Sequence, residues 1–294
     1  VAMVRAKYIH PFTDFGFKKL FGEEANKALL MDFLNELLPE QHKIKELTFN
    51  NTEQLGSMSF DRKAVYDIYC QNEKGEKFIV ELQKAKQNYF KERTVYYSTF
   101  PIKQQADRGE WDYNLKAVYC VGILDFVFSE DKEKKEYLHT VKLKDQNGQT
   151  FYDKLTFVYI EMPHFNKTEQ EIKTHFDKWL YFLKHLEDFQ NIPLILKEKI
   201  FDQAFLTAEL ANMNRDEQHR YEDSLKIYRD MKGVVDTALL AGESKGRMEG
   251  LREGEQKGRM EEKIKMARQL KSLGVAMPII MKASELSEKD IEAL

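Results

Sequence analysis

Two hydrophobic periods share the 294 residues. Over 13 to 39, TDFGFKKLFGEEANKALLMDFLNELLP, the apolar set Leu29, Leu30, Phe33 and Leu37 recurs at helical spacing. This predicts two helices, broken near Gly22 and closed by Pro39. A period of two then predicts strands at 44 to 50, 62 to 70 and 77 to 83. The last two are separated by QNEKGE, whose Asn72 and Gly75 suit a turn. A helix from about 87 to 106 follows, then strands near 114 to 121, 136 to 144 and 153 to 160, with GILDFVF (122 to 128) fitting either strand or loop. Residues 171 to 188 read as an amphipathic helix carrying Trp179, Leu180, Phe182 and Leu183, and one or two more helices occupy 200 to 240. Helices and strands in this order predict an α/β core with a mixed sheet between helices, spanning 1 to 235, plus a helical C-terminal tail.

The tail divides into a charged segment, 236 to 272, and a small helical module, 273 to 294. In the first, Gly242, Gly246, Gly250, Gly254 and Gly258 recur every four residues, and KGRME occurs twice. Each glycine costs a helix about 1 kcal/mol against alanine. Two readings stand: a smooth stripe on which another helix lies closely, making a homo-oligomer, or a loosely ordered spacer. In the second, a turn at Gly274 precedes a short apolar helix and a last helix starting at Ser287, with Asp290 in capping-box position. Three short helices fit a DNA reader or a packing module. Glu285, Glu288, Asp290 and Glu292 against Lys289 make a poor surface for the major groove.

Composition narrows the function classes. A formal net charge of -3, from 46 basic and 49 acidic residues, excludes a global positive field and leaves room only for a local basic cleft. Cys70 and Cys120 lie in apolar runs and read as buried, reduced thiols rather than as a disulfide or thiolate metal site. The seven histidines form no motif with ligand spacing. No apolar run approaches the ~20 residues of a bilayer span, and VAMVRAKYIHPFTDFG lacks a signal-peptide core, so a cytoplasmic protein without a membrane partner is expected.

The candidate chemistry lies in FIVELQKAKQNYFKERTVYY, 78 to 97, where Glu81 and Gln83 interrupt an apolar strand on alternate positions. A hairpin centred on residue 74 sets Asp67 opposite Glu81. One face then holds Tyr66, Ile68, Cys70, Phe78, Val80 and Leu82, and the other Val65, Asp67, Tyr69, Ile79, Glu81 and Gln83. Two facing carboxylates repel unless something neutralises them. A hard divalent cation such as Mg²⁺ does so, and suits phosphodiester hydrolysis. Gln83 would orient the attacking water without acting as base. Lys84, Lys86, Lys91 and Arg93 supply positive charge, while Tyr89, Tyr96 and Tyr97 offer rings for stacking on a nucleic-acid strand. Plainer readings stand beside these. The second face could simply be wet, with Asp67 satisfied by Arg62, Lys63 or Lys84; Arg93 could be the structural partner of Glu81; the tyrosines could be core. Asp14 and Lys18, four apart, fit an intrahelical pair, and Lys18 could equally touch phosphate.

HPFTDFGFKKLFG (10 to 22), DRKAVYDIYCQNEKGEKFIVELQ (61 to 83), YFKERTVYYSTFPIKQQ (89 to 105) and the glycine-punctuated tail together resemble the Rpn family of recombination-promoting nucleases and transposases, a branch of the PD-(D/E)XK superfamily. The resemblance implies a restriction-endonuclease-like core with a mixed four-stranded sheet. It also implies a Mg²⁺-dependent DNA endonuclease, with Mn²⁺ as a substitute, DNA as partner and recombination or transposition as the setting. Residue by residue, Asp67 matches the metal-binding aspartate, Glu81 the acid of the ExK signature and Asp14 the amino-terminal acidic position. Arg93, Tyr96 and Tyr97 match the helix bordering the site. Gln83 stands where the superfamily more often has lysine.

Overall fold

The computed structural model describes residues 6–54, 64–106, 112–128 and 135–294. The chain forms two compact units, 1–232 and 233–294.

In the first unit a hairpin organises the sheet. Strand β4 (Ile68–Asn72) pairs antiparallel with β5 (Lys77–Gln83), and Ile68↔Val80 to Gln71↔Lys77 centre the register on residue 74. The turn closes because Gly75 adopts φ +77°, open to glycine at no steric cost, while the Asn72 side chain accepts the N–H groups of Lys74 and Glu76. Strand β5 pairs in parallel with β6 (Val118–Leu124), which demands a crossover, and α3 (Phe90–Lys103) supplies it. Parallel β8 (Thr150–Glu161) and antiparallel edge strands β7 (Leu138–Lys144) and β1 (Leu47–Phe49) complete a six-stranded sheet in the order β1-β4-β5-β6-β8-β7. The mixed sheet is as expected, but two strands wider than the four implied. Strand β6 takes in Gly122 to Leu124, where strand and loop were both open.

Helices α1 (Asp14–Phe21), α2 (Lys27–Asn35), α4 (His175–His185) and α5 (Lys199–Ala208) pack with one face of the sheet around Phe17, Phe33, Trp179, Phe182 and Phe201. Caps set their starts: Thr13 accepts Gly16 N–H at α1, and Thr174 with Asp177 forms a capping box at α4. The second face is also covered, by Phe90 of α3 packing with Tyr66, Tyr69, Ile79, Cys120 and Tyr159. A wet, one-sided sheet is therefore excluded. That is why β6 is buried at every position.

The expected strand over 62 to 70 is not continuous. Ala64–Val65 (β3) pairs with Glu53–Gln54 (β2) in a separate two-stranded sheet, the chain bends at Tyr66 and Asp67, and β4 begins at Ile68. The bend turns Tyr66 away from the face shared by Ile68 and Cys70 and into the aromatic cluster under α3. Arg62 and Lys63 lie outside the described residues.

A 58-residue helix, α6 (Arg215–Ser272), begins in the first unit and runs through the glycine repeat. In the second unit its last turns pack with α7 (Met277–Ser284) and α8 (Glu288–Glu292) around Ala267, Ile280, Leu286 and Ile291. Gly274, at φ +72°, ends α6, and Ser287 caps α8 by accepting Asp290 N–H. The repeat is helical, and a Cβ added at Gly242, Gly246, Gly250, Gly254 or Gly258 would meet nothing within 4 Å. Among the described residues no helix is long and apolar enough to cross a membrane.

Candidate active site

Asp67 sits next to Glu81 because of the bend before β4. Continued two residues past Ile68↔Val80, the register would pair Leu82 with Tyr66, but Tyr66 N–H has turned to Thr52 O (3.0 Å). Leu82 N–H instead donates to Asp67 Oδ2 at 2.8 Å, the carboxylate replacing the missing main-chain acceptor. Asp67 N–H in turn donates to Glu81 Oε1 at 3.3 Å. The two acids are thus clamped reciprocally at the carboxyl end of β5, where ligands of parallel α/β sheets commonly bind. Asp67 Oδ1 and Glu81 Oε2 have no hydrogen-bond partner among the described residues.

Their electrostatics follow from that position. Burial pushes the Glu81 carboxyl up to about 8, and the neighbouring Asp67 charge adds to the effect; the bond from Asp67 N–H and the positive charges of Arg93 and Lys18 oppose it. Burial likewise raises Asp67, against the Leu82 N–H bond and Lys18. The inner side of Glu81 borders a hole of about 10 Å³ lined by Thr94, Tyr97, Cys120, Gly122 and Tyr159, which offers its charge little solvation.

Gln83 is buried and engaged at both ends: its Nε2 donates to Ala85 O at 2.9 Å, and its Oε1 accepts from Arg93 Nη2. Arg93 also donates to Gln87 and stacks over Phe90 and Tyr97, at 5.5 and 5.8 Å from the ring centroids. No ion pair within 4 Å joins Arg93 to Glu81 among the described residues, so the helix-to-sheet salt bridge left open by the sequence is absent and the guanidinium acts on Glu81 through its field. Tyr97 is half-buried against Tyr66 (5.6 Å between centroids), whose hydroxyl donates to Tyr97 O. Tyr89 is the exposed ring at the mouth of α3, 76% accessible and at φ +60°. On α1, Asp14 and Lys18 form the i,i+4 pair at 2.9 Å. Their charges act on Asp67, but Asp14 does not join Asp67 and Glu81 in a group of three that could hold a metal, and no such group occurs among the described residues. Lys84 is half-buried; desolvation lowers its pKa, against the opposing pull of Asp14 and Asp67.

The donor set fits a small hard cation. Two carboxylate oxygens without hydrogen-bond partners, on acids that disfavour simultaneous ionisation, are what Mg²⁺ neutralises while keeping most of its water. Asp67 and Glu81 would hold it.

Beside this site α1 and α6 border a cleft of about 480 Å³ that includes Asp14, Lys18 and Lys84 together with Arg220, Asp223 and Ser224. The α6 residues carried no signal in the sequence beyond helical spacing, since their meeting with α1 spans about two hundred positions. Ser224 Oγ accepts Phe15 N–H at 3.0 Å, Tyr221 Oη accepts His10 N–H at 2.9 Å, and Lys19 meets Glu217 at 2.6 Å.

A further acid, Glu161, lies at the corresponding end of β8 and is fully buried. It accepts Phe128 N–H at 2.8 Å, with His164 Nδ1 at 2.9 Å and His139 Nε2 at 3.6 Å from its other oxygen. It ties the segment after β6 to the sheet.

Compared with known proteins, the chain matches no curated protein and no solved structure. Residues 11–238 match the model of the PD-(D/E)XK nuclease family transposases, a span that takes in the hairpin, the acid pair, α3 and the first turns of α6. The clamped Asp67 and Glu81 on a mixed sheet therefore sit in a protein that belongs to the PD-(D/E)XK nuclease family transposases.

Proposed function

We propose that the protein is a Mg²⁺-dependent DNA endonuclease, with Mn²⁺ as a substitute, acting in recombination or transposition. The observation that carries this reading is the pair of carboxyl groups held together at the end of β5, each raised by burial and each with an oxygen that has no hydrogen-bond partner. A bound Mg²⁺ supplies a water of lowered pKa and neutralises charge developing on the scissile phosphate. Asp67 and Glu81 would hold the ion, Asp14 would support them by its field, and Lys84, Lys18 and Tyr97 would contact or neutralise the strand.

Gln83 and Arg93 together take the place of the signature lysine. Gln83, with one amide hydrogen and one lone pair left after its bonds to Ala85 and Arg93, would orient the water as a neutral group, and the cation arrives from α3 as the Arg93 guanidinium bound to its oxygen. A delocalised, permanent charge suits an anionic transition state, although it cannot give up a proton. Nicking of supercoiled plasmid with Mg²⁺, abolished in Glu81→Ala, is the expected result; undiminished nicking by that variant would sink the assignment.

Occupation of both ends of the Gln83 amide favours a second reading, a noncatalytic DNA-binding or assembly protein on the same scaffold. Calorimetric titration with Mg²⁺ separates the two, because only the nuclease needs a metal heat that disappears in Glu81→Ala.

A further inference from the structure

Four cations and three acids line the cleft between α1 and the first turns of α6, and Glu217, outside the lining, shares Lys19 at 2.6 Å. Two of its acids are already matched, Asp14 with Lys18 at 2.9 Å and Glu23 with Lys19 at 3.4 Å. What is left is Lys84 and Arg220 against Asp223, and among the described residues none of the three has an ion-pair partner within 4 Å. Lys84 bears this charge half-buried, a cost that a bound anion would relieve. Arg220 lies over the Phe15 ring, 5.4 Å from its centroid, which limits the orientations of the guanidinium. Ser224, whose oxygen is taken up by Phe15 N–H, keeps its own hydrogen to donate. Neither Asp67 nor Glu81 lines the cleft, but Lys84, Asp14 and Lys18 do, and the charges of all three act on Asp67.

We propose that this cleft seats a backbone phosphate of the same DNA strand, next to the one at Asp67 and Glu81, with Arg220 and Lys84 as its cationic contacts and Ser224 as a donor. The identity of the polyanion rests on the nuclease reading; the assignment of Arg220 rests on the cleft. Arg220 is a positioning residue: it fixes the register of the strand on the acids without touching the reacting atoms.

The test is binding of the full chain to a fluorescently labelled DNA duplex in EDTA across a salt series. Arg220→Glu is expected to weaken binding by roughly tenfold and to flatten the slope of log K against log salt by about 0.9, the signature of one lost phosphate contact. Arg229→Glu makes the same charge change two to three turns on along α6, outside the cleft, and is expected to have a much smaller effect. Asp223→Asn is expected to tighten binding, a direction that misfolding does not produce. Equal affinity and slope for Arg220→Glu and the unmodified chain, equal losses for Arg220→Glu and Arg229→Glu, or no affinity of the unmodified chain for the duplex would each overturn the proposal. Plasmid nicking scored in parallel tests the nuclease reading separately: binding through Arg220 without Mg²⁺-dependent nicking sinks that reading and leaves the phosphate seat intact.

Discussion

The Asp67–Glu81 pair holds a proton at neutral pH in the metal-free protein, since burial and the neighbouring Asp67 charge raise the Glu81 carboxyl to about 8. A carboxyl raised above its unfolded value, near 4.5, stabilises the fold fully only below that value. The contribution is lost as pH rises through about 8. Glu81→Gln should therefore melt above the unmodified protein at pH 8.5, with the gap closing toward pH 5, as differential scanning fluorimetry would register. By the same linkage Mg²⁺ at the proposed site would compete with the proton. The melting shift it causes should grow between pH 6.5 and 8.5 and vanish in Glu81→Gln. The Gln83–Arg93 pair admits a sharper test. Arg93→Ala should cut the nicking rate by about 10² to 10³, and Gln83→Lys alone should also be impaired, because two cations then crowd one position. The double variant, with the charge restored on the strand, should recover part of the loss, and a purely additive cycle would show that the two side chains do not act as a unit. Sequence reading placed Glu81, Gln83 and Arg93 on the right elements. It could not see that Arg93 would engage Gln83 rather than Glu81, because the tilt of α3 over the sheet decides which side chain the guanidinium reaches.

Element ends were legible where their cause is local. Ser287 starts a helix by capping the backbone three residues on, and Gly75 and Gly274 close turns through φ values that glycine adopts freely, whereas the helix read from 171 starts only at His175, where Thr174 caps it. The strand read over 62 to 70 failed for a nonlocal reason. Tyr66 N–H finds Thr52 O across the two-stranded sheet, and the chain leaves the main ladder at the residue where Asp67 is needed. The glycine repeat resolves as helix with its stripe uncovered among the described residues. A methyl group there meets no neighbour, so Gly246→Ala and Gly250→Ala should each raise helix stability by about 1 kcal/mol, read from the thermal unfolding of the full chain. If a second copy of the chain lies along the stripe, the same substitutions should instead lower the mass found by light scattering, the added methyl groups holding the backbones apart.

At the scale of the molecule, the first turns of α6 secure the amino-terminal segment to the rest of its unit. Tyr221, Ser224 and Glu217 bind His10, Phe15 and Lys19, contacts separated by about two hundred positions. A chain ending at residue 232, the boundary between the two compact units, should keep the Mg²⁺-induced melting shift. One ending at 214 should lose that shift and unfold at markedly lower urea, since α1, with Asp14 and Lys18, is released from the partners that hold it. The amino-acid sequence by itself determined the alternation of faces along β5, the turn at Asn72 and Gly75, and hence the hairpin register that carries Asp67 up to Glu81, while the bend that turns the Asp67 carboxylate onto Leu82 N–H is set by Thr52. Alternation, turn and register depend on chemistry within 15 positions, short enough for turn and pleat to dictate the outcome. Only the tertiary structure decided that both faces of the sheet are covered, that Arg93 lends its charge to Gln83, and that Arg220 arrives beside Lys84. Such meetings depend on how distant segments fill one core, and no periodicity along the chain encodes that.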